Sequence, residues 1–222
     1  MKGISVDIGA EPFLSFLQNQ YKFISHQDIM FLDDLHYSII KENSVIYGLE
    51  LSARKTTGRA MGMISYTWSK INKHGEENRN YNPYYDRRNN IALSGSYELS
   101  KRITLSSSWI FMTGNPYNQP FSKYEIRGRT IPLYADELYN KRMPSYHRLD
   151  IGFRIKFGKW TKFKHSLGLS VYNAYARKNP LFYNYYDKSG AEPNFNGENK
   201  SFYMTEFHAF QFFPSFSYEF AF

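Results

Sequence analysis

Residue types that commonly carry out chemistry are few and scattered in this chain of 222 residues. Cysteine is absent, which excludes disulfides, thiolate metal sites and cysteine nucleophiles. Acid and imidazole side chains cluster only at Asp33, Asp34 and His36. Asp34 and His36 would share one side of an extended segment, where they could bind a metal or form a general acid–base pair.

A solvated loop accounts better for so short a motif. The sequence also has no nucleophile elbow, phosphate-binding loop or HExxH motif. We therefore predict no catalytic residue, no metal site, no cofactor and no enzymatic activity. The enzyme alternative, a surface protease or an acyltransferase, rests on the acid–imidazole cluster alone.

A second set of candidate residues combines arginine with aromatic rings. The stretch Tyr85-Asp86-Arg87-Arg88 stands immediately before a predicted strand. Arginine beside a carboxylate or a ring favours a structural network that fixes the base of a loop, and the functional alternative is contact with a ligand. Tyrosines in the neighbouring loops suit stacking on sugars, aromatic chelates or peptides, although packing between loops explains any single ring better. The candidate ligand contacts are Tyr85, Arg87, Arg88, Tyr117 and Tyr124.

The composition limits the class of protein that carries these residues. The chain has 20 tyrosines, 19 phenylalanines and 3 tryptophans, yet its mean hydropathy is −0.58 and 22% of its residues are charged. So many rings argue against disorder, and no apolar run has the length of a transmembrane helix. The net charge of +8 is spread over scattered lysines and arginines, so we do not predict nucleic-acid binding.

Period-two alternation of apolar and polar residues is the strongest pattern in the chain. It is cleanest at Arg148–Phe157, where Leu149, Ile151 and Phe153 fall on one face and charged side chains fall on the other. Helical spacing competes only at Asp28–Ile40, where a short helix within a loop is the alternative. The alternation predicts eight strands, at Ile4–Ala10, Tyr47–Arg54, Ala60–Ser69, Ile91–Leu99, Ile103–Phe111, Arg148–Phe157, Leu167–Tyr175 and Phe212–Phe222.

The connections between these strands alternate in length. The short ones lie at Lys55–Arg59, Ser100–Arg102 and Gly158–Lys164, and the others are about 18 to 40 residues long, which is uncommon in compact soluble domains. Short turns on one side and long loops on the other are typical of bacterial outer-membrane barrels, because a closed sheet hides every backbone polar group from lipid. We predict an all-β fold, an antiparallel transmembrane β-barrel. The alternative is a soluble antiparallel sandwich, and rings at the ends of the apolar faces favour the barrel.

Several short motifs follow one another along the chain. They are YGLEL from Tyr47, GMISYTWS from Gly62, YDRRNN from Tyr85, TGNP from Thr113, MPSYHRLD from Met143 and VYNAYARKNP from Val171, followed by the aromatic terminal strand. In this order and spacing they resemble the C-terminal barrel region of TonB-dependent outer-membrane receptors, especially those of the Bacteroidetes type. The resemblance extends over most of the chain.

The resemblance implies that residues 1–222 are about the last eight strands of a 22-stranded barrel, which a plug domain fills. Such a receptor lies in the outer membrane of a Gram-negative bacterium. It binds a scarce nutrient (siderophore, glycan or peptide) and imports it with energy from the inner membrane. Its partners would be outer-membrane lipid, the barrel-assembly machinery, the TonB complex, the plug and an unidentified nutrient. In such a receptor the candidate ligand contacts Tyr85, Arg87, Arg88, Tyr117 and Tyr124 could contact the plug instead. The chain departs from the family pattern in having no signal peptide, TonB box or plug, so we expect a cytoplasmic protein or one part of a longer gene product that transports nothing alone.

The terminal stripe Phe216, Tyr218, Phe220 and Phe222 resembles the signal by which the assembly machinery recognises barrels. Lipid-facing packing is the other interpretation, and one face would serve both roles.

The alternative to a receptor segment is a self-contained eight-stranded barrel with a structural or adhesive role, since eight strands can close around side chains. The missing signal peptide and the charged inner face of Arg148–Lys156 argue against it, because a narrow barrel leaves charges little water.

Overall fold

The computed structural model describes residues 5–23, 39–75, 80–126, 129–134, 139–157, 164–187 and 202–221. Every regular secondary-structure element in these residues is a β-strand. The described residues form no helix long and apolar enough to cross a membrane. In chain order the strands are β1 (Val6–Phe23), β2 (Ile39–Lys55), β3 (Ala60–Gly75), β4 (Asn80–Tyr81), β5 (Asn89–Glu98), β6 (Ile103–Met112), β7 (Pro116–Tyr117), β8 (Pro120–Ile126), β9 (Arg129–Tyr134), β10 (Lys141–Arg142), β11 (Tyr146–Phe157), β12 (Lys164–Tyr172), β13 (Pro180–Asp187), β14 (Phe202–His208) and β15 (Phe213–Ala221).

One antiparallel sheet, here called the main sheet, contains eight strands in the order β1-β2-β3-β5-β6-β11-β12-β15, with β4 beside β3. Three two-stranded ribbons, β7–β10, β8–β9 and β13–β14, lie in the long connections. The eight strands in this order are those that the alternation predicts, so the all-β antiparallel fold class is confirmed. Among the described residues the edge strands β1 and β15 do not pair with each other. Closure into a barrel therefore stays a prediction.

The first two strands are longer than predicted, because β1 continues to residue 23 and β2 begins at residue 39. Two features hide the alternation. Phe13 places a ring on the otherwise polar side of β1, where it lies against Gly48. Farther along, the register shifts between Leu17 and Gln20, and Asn19 has a φ of 54°. An extra residue in one strand reverses the phase of the alternation, so a search for period two ends too early.

Strand β12 ends three residues earlier than predicted, at Tyr172. Asn173 and Ala176 adopt φ angles of 54° and 53°, a left-handed conformation that turns the chain out of the sheet. The first two residues of β2 belong to the region where a loop helix was the alternative, and the rest of that region, 28–38, lies outside the described residues. The predicted strand ends at Ile4 and Phe222, and residues 158–163 of the third short turn, also lie outside them.

The register gives the main sheet two faces of opposite chemistry. The face here called the apolar face carries at least one large exposed apolar side chain on every strand: Ile8, Leu51, Ile64, Leu93, Leu105, Ile151, Leu169 and Phe216. The opposite face carries small or polar residues at the neighbouring positions: Gly9, Ser52, Ser65, Ser94, Ser106, Gly152, Ser170 and Ser217. Alternation along each strand is thus kept in phase across the whole sheet.

Aromatic side chains bound the apolar face at both ends. At the end nearest the long loops, Tyr47 meets Trp68 edge-on with 5.8 Å between ring centroids, and Trp109 stacks on Phe111 at 6.1 Å. At the end nearest the short turns the rings are Tyr97, Phe157, Tyr218 and Phe220.

Most of the best-buried residues lie at the loop end, in the part here called the loop cap (residues 80–88, 113–118, 139–145 and 173–183), and Glu42 and Ser44 of β2 are the others. Within the described chain, Met143 is the one large non-proline apolar side chain that is buried. No second layer therefore covers the apolar face of the main sheet in the described part. The buried residues of the loop cap are Pro83, Asp86, Gly114, Pro116, Met143, Asn173 and Asn179.

Candidate ligand-binding site

Asp86 is the ionic centre of the loop cap, and its side chain is completely buried. One carboxylate oxygen accepts hydrogen bonds from Arg88 Nε at 2.9 Å and Arg142 Nη2 at 2.5 Å. The other accepts the backbone N–H of Ile71 at 3.1 Å. Arg142 also donates to the backbone carbonyls of Asp86 and Gly114. Because 56 residues separate the two partners, this ion pair joins two loops that are distant in sequence.

Gly114 allows two backbone segments of the loop cap to touch. A Cβ atom at this position would overlap the carbonyl group of Met143 and would lie 3.0 Å from the carbonyl oxygen of Pro144. The Met143 N–H donates to the Asn115 carbonyl at 2.9 Å, which holds the two segments together. Only a residue without a side chain fits this close approach.

Two buried asparagines tie the chain after β12 to β11. The Asn173 N–H donates to the Asp150 carboxylate at 2.9 Å, and its side chain bonds the N–H and carbonyl of Arg177 at 3.2 and 2.9 Å. The Asn179 amide bonds both the N–H and the carbonyl of His147, at 3.1 and 2.9 Å. Asn179 thus satisfies the backbone of His147 on the side where β12 does not extend, since the pairing of β11 with β12 begins only at Ile151.

A second buried carboxylate, Glu42, lies where β1 to β4 meet beyond the loop-side rings. It accepts hydrogen bonds from Lys73 Nζ at 3.0 Å and the Tyr81 hydroxyl at 2.5 Å, and Lys22 Nζ lies 3.7 Å away. Burial by itself would raise the pKa of Glu42, but the hydrogen bonds from Tyr81 and Lys73 and the charges of both lysines outweigh it and lower the pKa below its ordinary 4.5. Burial likewise opposes the charge of Lys73, yet its contact with Glu42 raises the pKa of that lysine.

The cluster around Glu42 makes the free energy of unfolding depend on pH, and the lowered pKa of Glu42 sets the direction of that dependence. A carboxylate whose pKa is lower in the folded chain stabilises the fold above its unfolded pKa, and this stabilisation is lost as the pH falls through the folded pKa. We expect Glu42→Gln to lower the free energy of unfolding by about 1–3 kcal/mol at neutral pH, and the deficit to shrink below pH 4.5. Melting temperatures of both proteins between pH 7 and about pH 3.5 measure the deficit. A deficit that is constant over this range would contradict the prediction, and Glu98→Gln, at an exposed carboxylate of the main sheet, is the control.

An aromatic cavity of about 370 Å³ opens within the loop cap. Tyr117 and Tyr183 approach to 4.9 Å between ring centroids, and Tyr84 and Tyr139 approach to 6.3 Å. All of its lining residues are uncharged; besides the tyrosines they include Asn115, Asn118, Met143 and Phe182. Rings together with amide groups suit a neutral ligand that offers both flat apolar surface and hydrogen-bonding groups.

The polar face of the main sheet contains hollows and is here called the concave face. Two adjoining hollows of about 650 and 420 Å³ lie on it and share Ser106, Gly152 and Ser170. At its loop-side rim, Arg148 donates to the Asp150 carboxylate at 3.0 Å and to the Tyr172 hydroxyl at 2.7 Å. The concave face is therefore polar, and Arg148 at its rim is paired with a carboxylate.

The predicted ligand contacts lie in different surroundings. Arg88 is bound by the buried carboxylate at the loop base, whereas Arg87 has no such partner among the described residues. Tyr85 is exposed, Tyr117 lines the aromatic cavity, and Tyr124 is exposed on β8. Contact of any of them with a ligand stays a prediction.

The predicted assembly stripe lies on the apolar face of β15. Phe216, Tyr218 and Phe220 are each more than half exposed, and Phe222 lies outside the described residues. The acid–imidazole cluster at residues 33–36 lies outside them as well. The part of the chain that the structure describes contains no group of three or more His, Cys, Asp or Glu side chains that could hold a metal.

Sequence reasoning missed Arg142, Glu42 and Tyr139, whereas Tyr84 and Tyr183 are among the loop tyrosines that the sequence suggests for stacking. Arg142 carries no local signal, because its partner is 56 residues away. Glu42 belongs to the part of β2 whose alternation was not recognised. Tyr139 could have been singled out only by knowing how the loops fold back on one another.

Comparison with models of known protein families, with curated proteins and with solved structures finds no match for this chain. The function proposed below therefore rests on the geometry of the sheet and loop cap, together with the motifs of the sequence.

Proposed function

We propose that the chain is the C-terminal barrel segment of an outer-membrane TonB-dependent receptor, which binds a scarce nutrient such as a siderophore, glycan or peptide and imports it with energy from the inner membrane. In this proposal the main sheet is barrel wall, the loop cap faces the cell exterior, and the concave face meets a plug domain. The family is suggested by the sequence motifs, and the two-faced sheet supports a place in a membrane wall.

The exposed apolar row is the observation that carries the proposal. Its least exposed members, Leu51 and Ile151, still expose 39% of their surface. Contact with lipid removes such surface from water, at a gain of roughly 25 cal/mol per Å². The eleven residues from His147 to Phe157 of β11 cover ~34 Å along the strand, or ~26 Å at a tilt of about 40°. This length matches the ~25 Å apolar band of outer-membrane barrels.

The free edges of the main sheet favour a segment of a larger barrel over a closed eight-stranded one. Within the described residues β1 pairs only with β2, and β15 pairs only with β12. An unpaired backbone group facing lipid costs several kcal/mol. Further strands of the receptor would pair with both edges and remove this cost.

The loop cap and the last strand supply the proposed contacts with partners. The aromatic cavity is the part of the loop cap that we expect to touch the nutrient, since its rings and amides are uncharged and accessible to a small molecule. The stripe Phe216, Tyr218 and Phe220 would contact lipid and, during insertion, the barrel-assembly machinery. The TonB complex would act through the plug.

Two adjacent substitutions test whether the apolar face meets lipid. Leu93→Arg places a charge on the apolar face of β5, and Ser94→Arg places the same charge on the concave face. If the sheet is a membrane wall, Leu93→Arg costs about 2–4 kcal/mol and reduces the folded, heat-modifiable protein in the outer membrane. Ser94→Arg leaves most of it in place, because water reaches the concave face.

Blots of outer-membrane fractions, with an antibody to residues 188–201, measure both variants and the size of the native polypeptide. A band several times larger than 26.3 kDa supports the receptor. A band near that mass in the same fraction contradicts it and favours the self-contained barrel with a structural or adhesive role. Absence of the wild-type protein from the membrane, or equal loss of both variants, contradicts any membrane wall.

A further inference from the structure

Arg87 differs from the other arginines of the loop cap because one end of its guanidinium has no partner. Nη1 is buried and makes no hydrogen bond, and Nη2 makes one long bond, 3.4 Å, to Asn115 Oδ1. Burial lowers the pKa of Arg87, and the nearby Tyr146 phenol only partly offsets this. A guanidinium in this position has given up water without receiving a negative charge in return, which is costly.

The other arginines of the loop cap donate hydrogen bonds to oxygen acceptors. Arg88 and Arg142 share the Asp86 carboxylate. Arg177 donates to two oxygen atoms, at 3.1 and 3.2 Å. Of these four side chains, Arg87 is the one with a buried donor that reaches no acceptor among the described residues.

The position of Arg87 indicates the side from which a partner would come. The Arg87 carbonyl accepts the Ser69 hydroxyl at 3.1 Å, and Ser69 lies on the concave side of β3. Asn90, on the concave side of β5, has a buried Oδ1 that also lacks a partner. Tyr146, on the same side of β11, lies close enough to Arg87 to affect the pKa of that arginine. The unsatisfied donor and acceptor thus both belong to residues 87–90, the stretch of chain that reaches the loop-side rim of the concave face.

We propose that Arg87 is an anion-binding residue, which takes a carboxylate presented at the loop-side rim of the concave face. The planar guanidinium matches a carboxylate with two parallel hydrogen bonds, and Nη1 and Nη2 are the nitrogens available for them. Asn90 Oδ1 would accept a donor from the same occupant. The carboxylate comes either from another segment of the same gene product or from a small soluble acid. The proposal rests on the geometry of the rim and does not depend on where the protein resides in the cell.

The test compares Arg87→Gln with wild type in the full gene product, purified from whichever cell fraction contains it. Melting is followed by tryptophan fluorescence in sodium chloride and again with sodium acetate replacing chloride at constant ionic strength. Asn115→Ala removes only the single observed acceptor of Arg87. Arg154→Gln, at an arginine paired with Glu219 in an exposed ion pair, controls for loss of a positive charge.

If another segment supplies the carboxylate, Arg87→Gln lowers the melting temperature in chloride by about 5 °C or more, beyond the effect of Asn115→Ala, and Arg87→Lys recovers part of the loss. If a soluble acid supplies it, Arg87→Gln is as stable as wild type in chloride, and acetate raises the melting temperature of wild type in a saturable manner but not that of Arg87→Gln.

The proposal is overturned if Arg87→Gln is no less stable in chloride and acetate has no effect on wild type. It is also overturned if Arg87→Gln lowers the melting temperature in chloride, Asn115→Ala lowers it by the same amount, and acetate has no effect on wild type. The acetate measurement on wild type decides the soluble case even if the glutamine variant fails to fold.

Discussion

Replacing Gly114 with alanine is expected to prevent the loop cap from closing over the strand ends. The new Cβ atom would overlap the carbonyl group of Met143. That group cannot move away easily, because the Met143 N–H is bonded to the Asn115 carbonyl and the Gly114 carbonyl accepts a bond from Arg142. We expect a cost of about 3 kcal/mol or more, at the upper end for overpacking, because both clashing atoms belong to backbone.

The melting temperature and the yield of folded protein measure this cost. The matched control is Gly95→Ala in β5, where the atom nearest to the new Cβ is the Met61 carbonyl oxygen at 3.6 Å, an ordinary contact. We expect that variant to stay within about 0.5 kcal/mol of wild type. If both alanine variants melt alike, the close approach of residues 114 and 143 is not part of the native loop cap.

Asp86→Asn should cost nearly as much, for an electrostatic reason. The asparagine keeps the size of the side chain but leaves Arg88 and Arg142 without their shared negative charge. Removing one partner of a buried ion pair costs about 3–5 kcal/mol, and we expect the lower end because the two arginines remain partly accessible to water, at 26% and 36% exposure. Thermal unfolding and limited proteolysis of the loops should both report the loss.

The control is Glu219→Gln, which breaks an ion pair whose partners are 51% and 61% exposed, and surface pairs of this kind contribute about 0–1 kcal/mol. A double-mutant cycle with Asp86→Asn and Arg142→Gln sharpens the test. The two changes should couple by more than about 0.5 kcal/mol, because each removes the same interaction. Additive effects would mean that the two side chains do not meet in solution.

The two faces of the main sheet could be read from the sequence because alternation is a local property. In a strand, successive side chains point to opposite sides whatever the rest of the chain does. The segment around Leu149, Ile151 and Phe153 therefore predicts its own two faces, and the consecutive antiparallel pairing keeps those faces in phase from β1 to β15. The prediction of β1 ended too early, at Ala10, because Phe13 places a ring on the polar side and the bulge beside Asn19 then reverses the phase.

The contacts of the loop cap, in contrast, could not be predicted from the sequence. The sequence marks Arg87 and Arg88 as equivalent neighbours, but the fold binds Arg88 to Asp86 and leaves a nitrogen of Arg87 unsatisfied. Arg142 reaches the same carboxylate from a different loop. Which arginine finds a carboxylate depends on the path of loops far apart in sequence, and no local pattern encodes that path.

By itself, then, the sequence determined that the protein is an antiparallel β structure with eight principal strands, one apolar face and loops of alternating length. It did so because backbone geometry ties side-chain direction to sequence position over a few residues. Only the tertiary structure decided that Gly114 lies against Met143, that Glu42 is buried between lysines, and that rings from separate loops enclose a cavity. These contacts join segments separated by tens of residues, and they exist only after the loops have folded back over the strand ends.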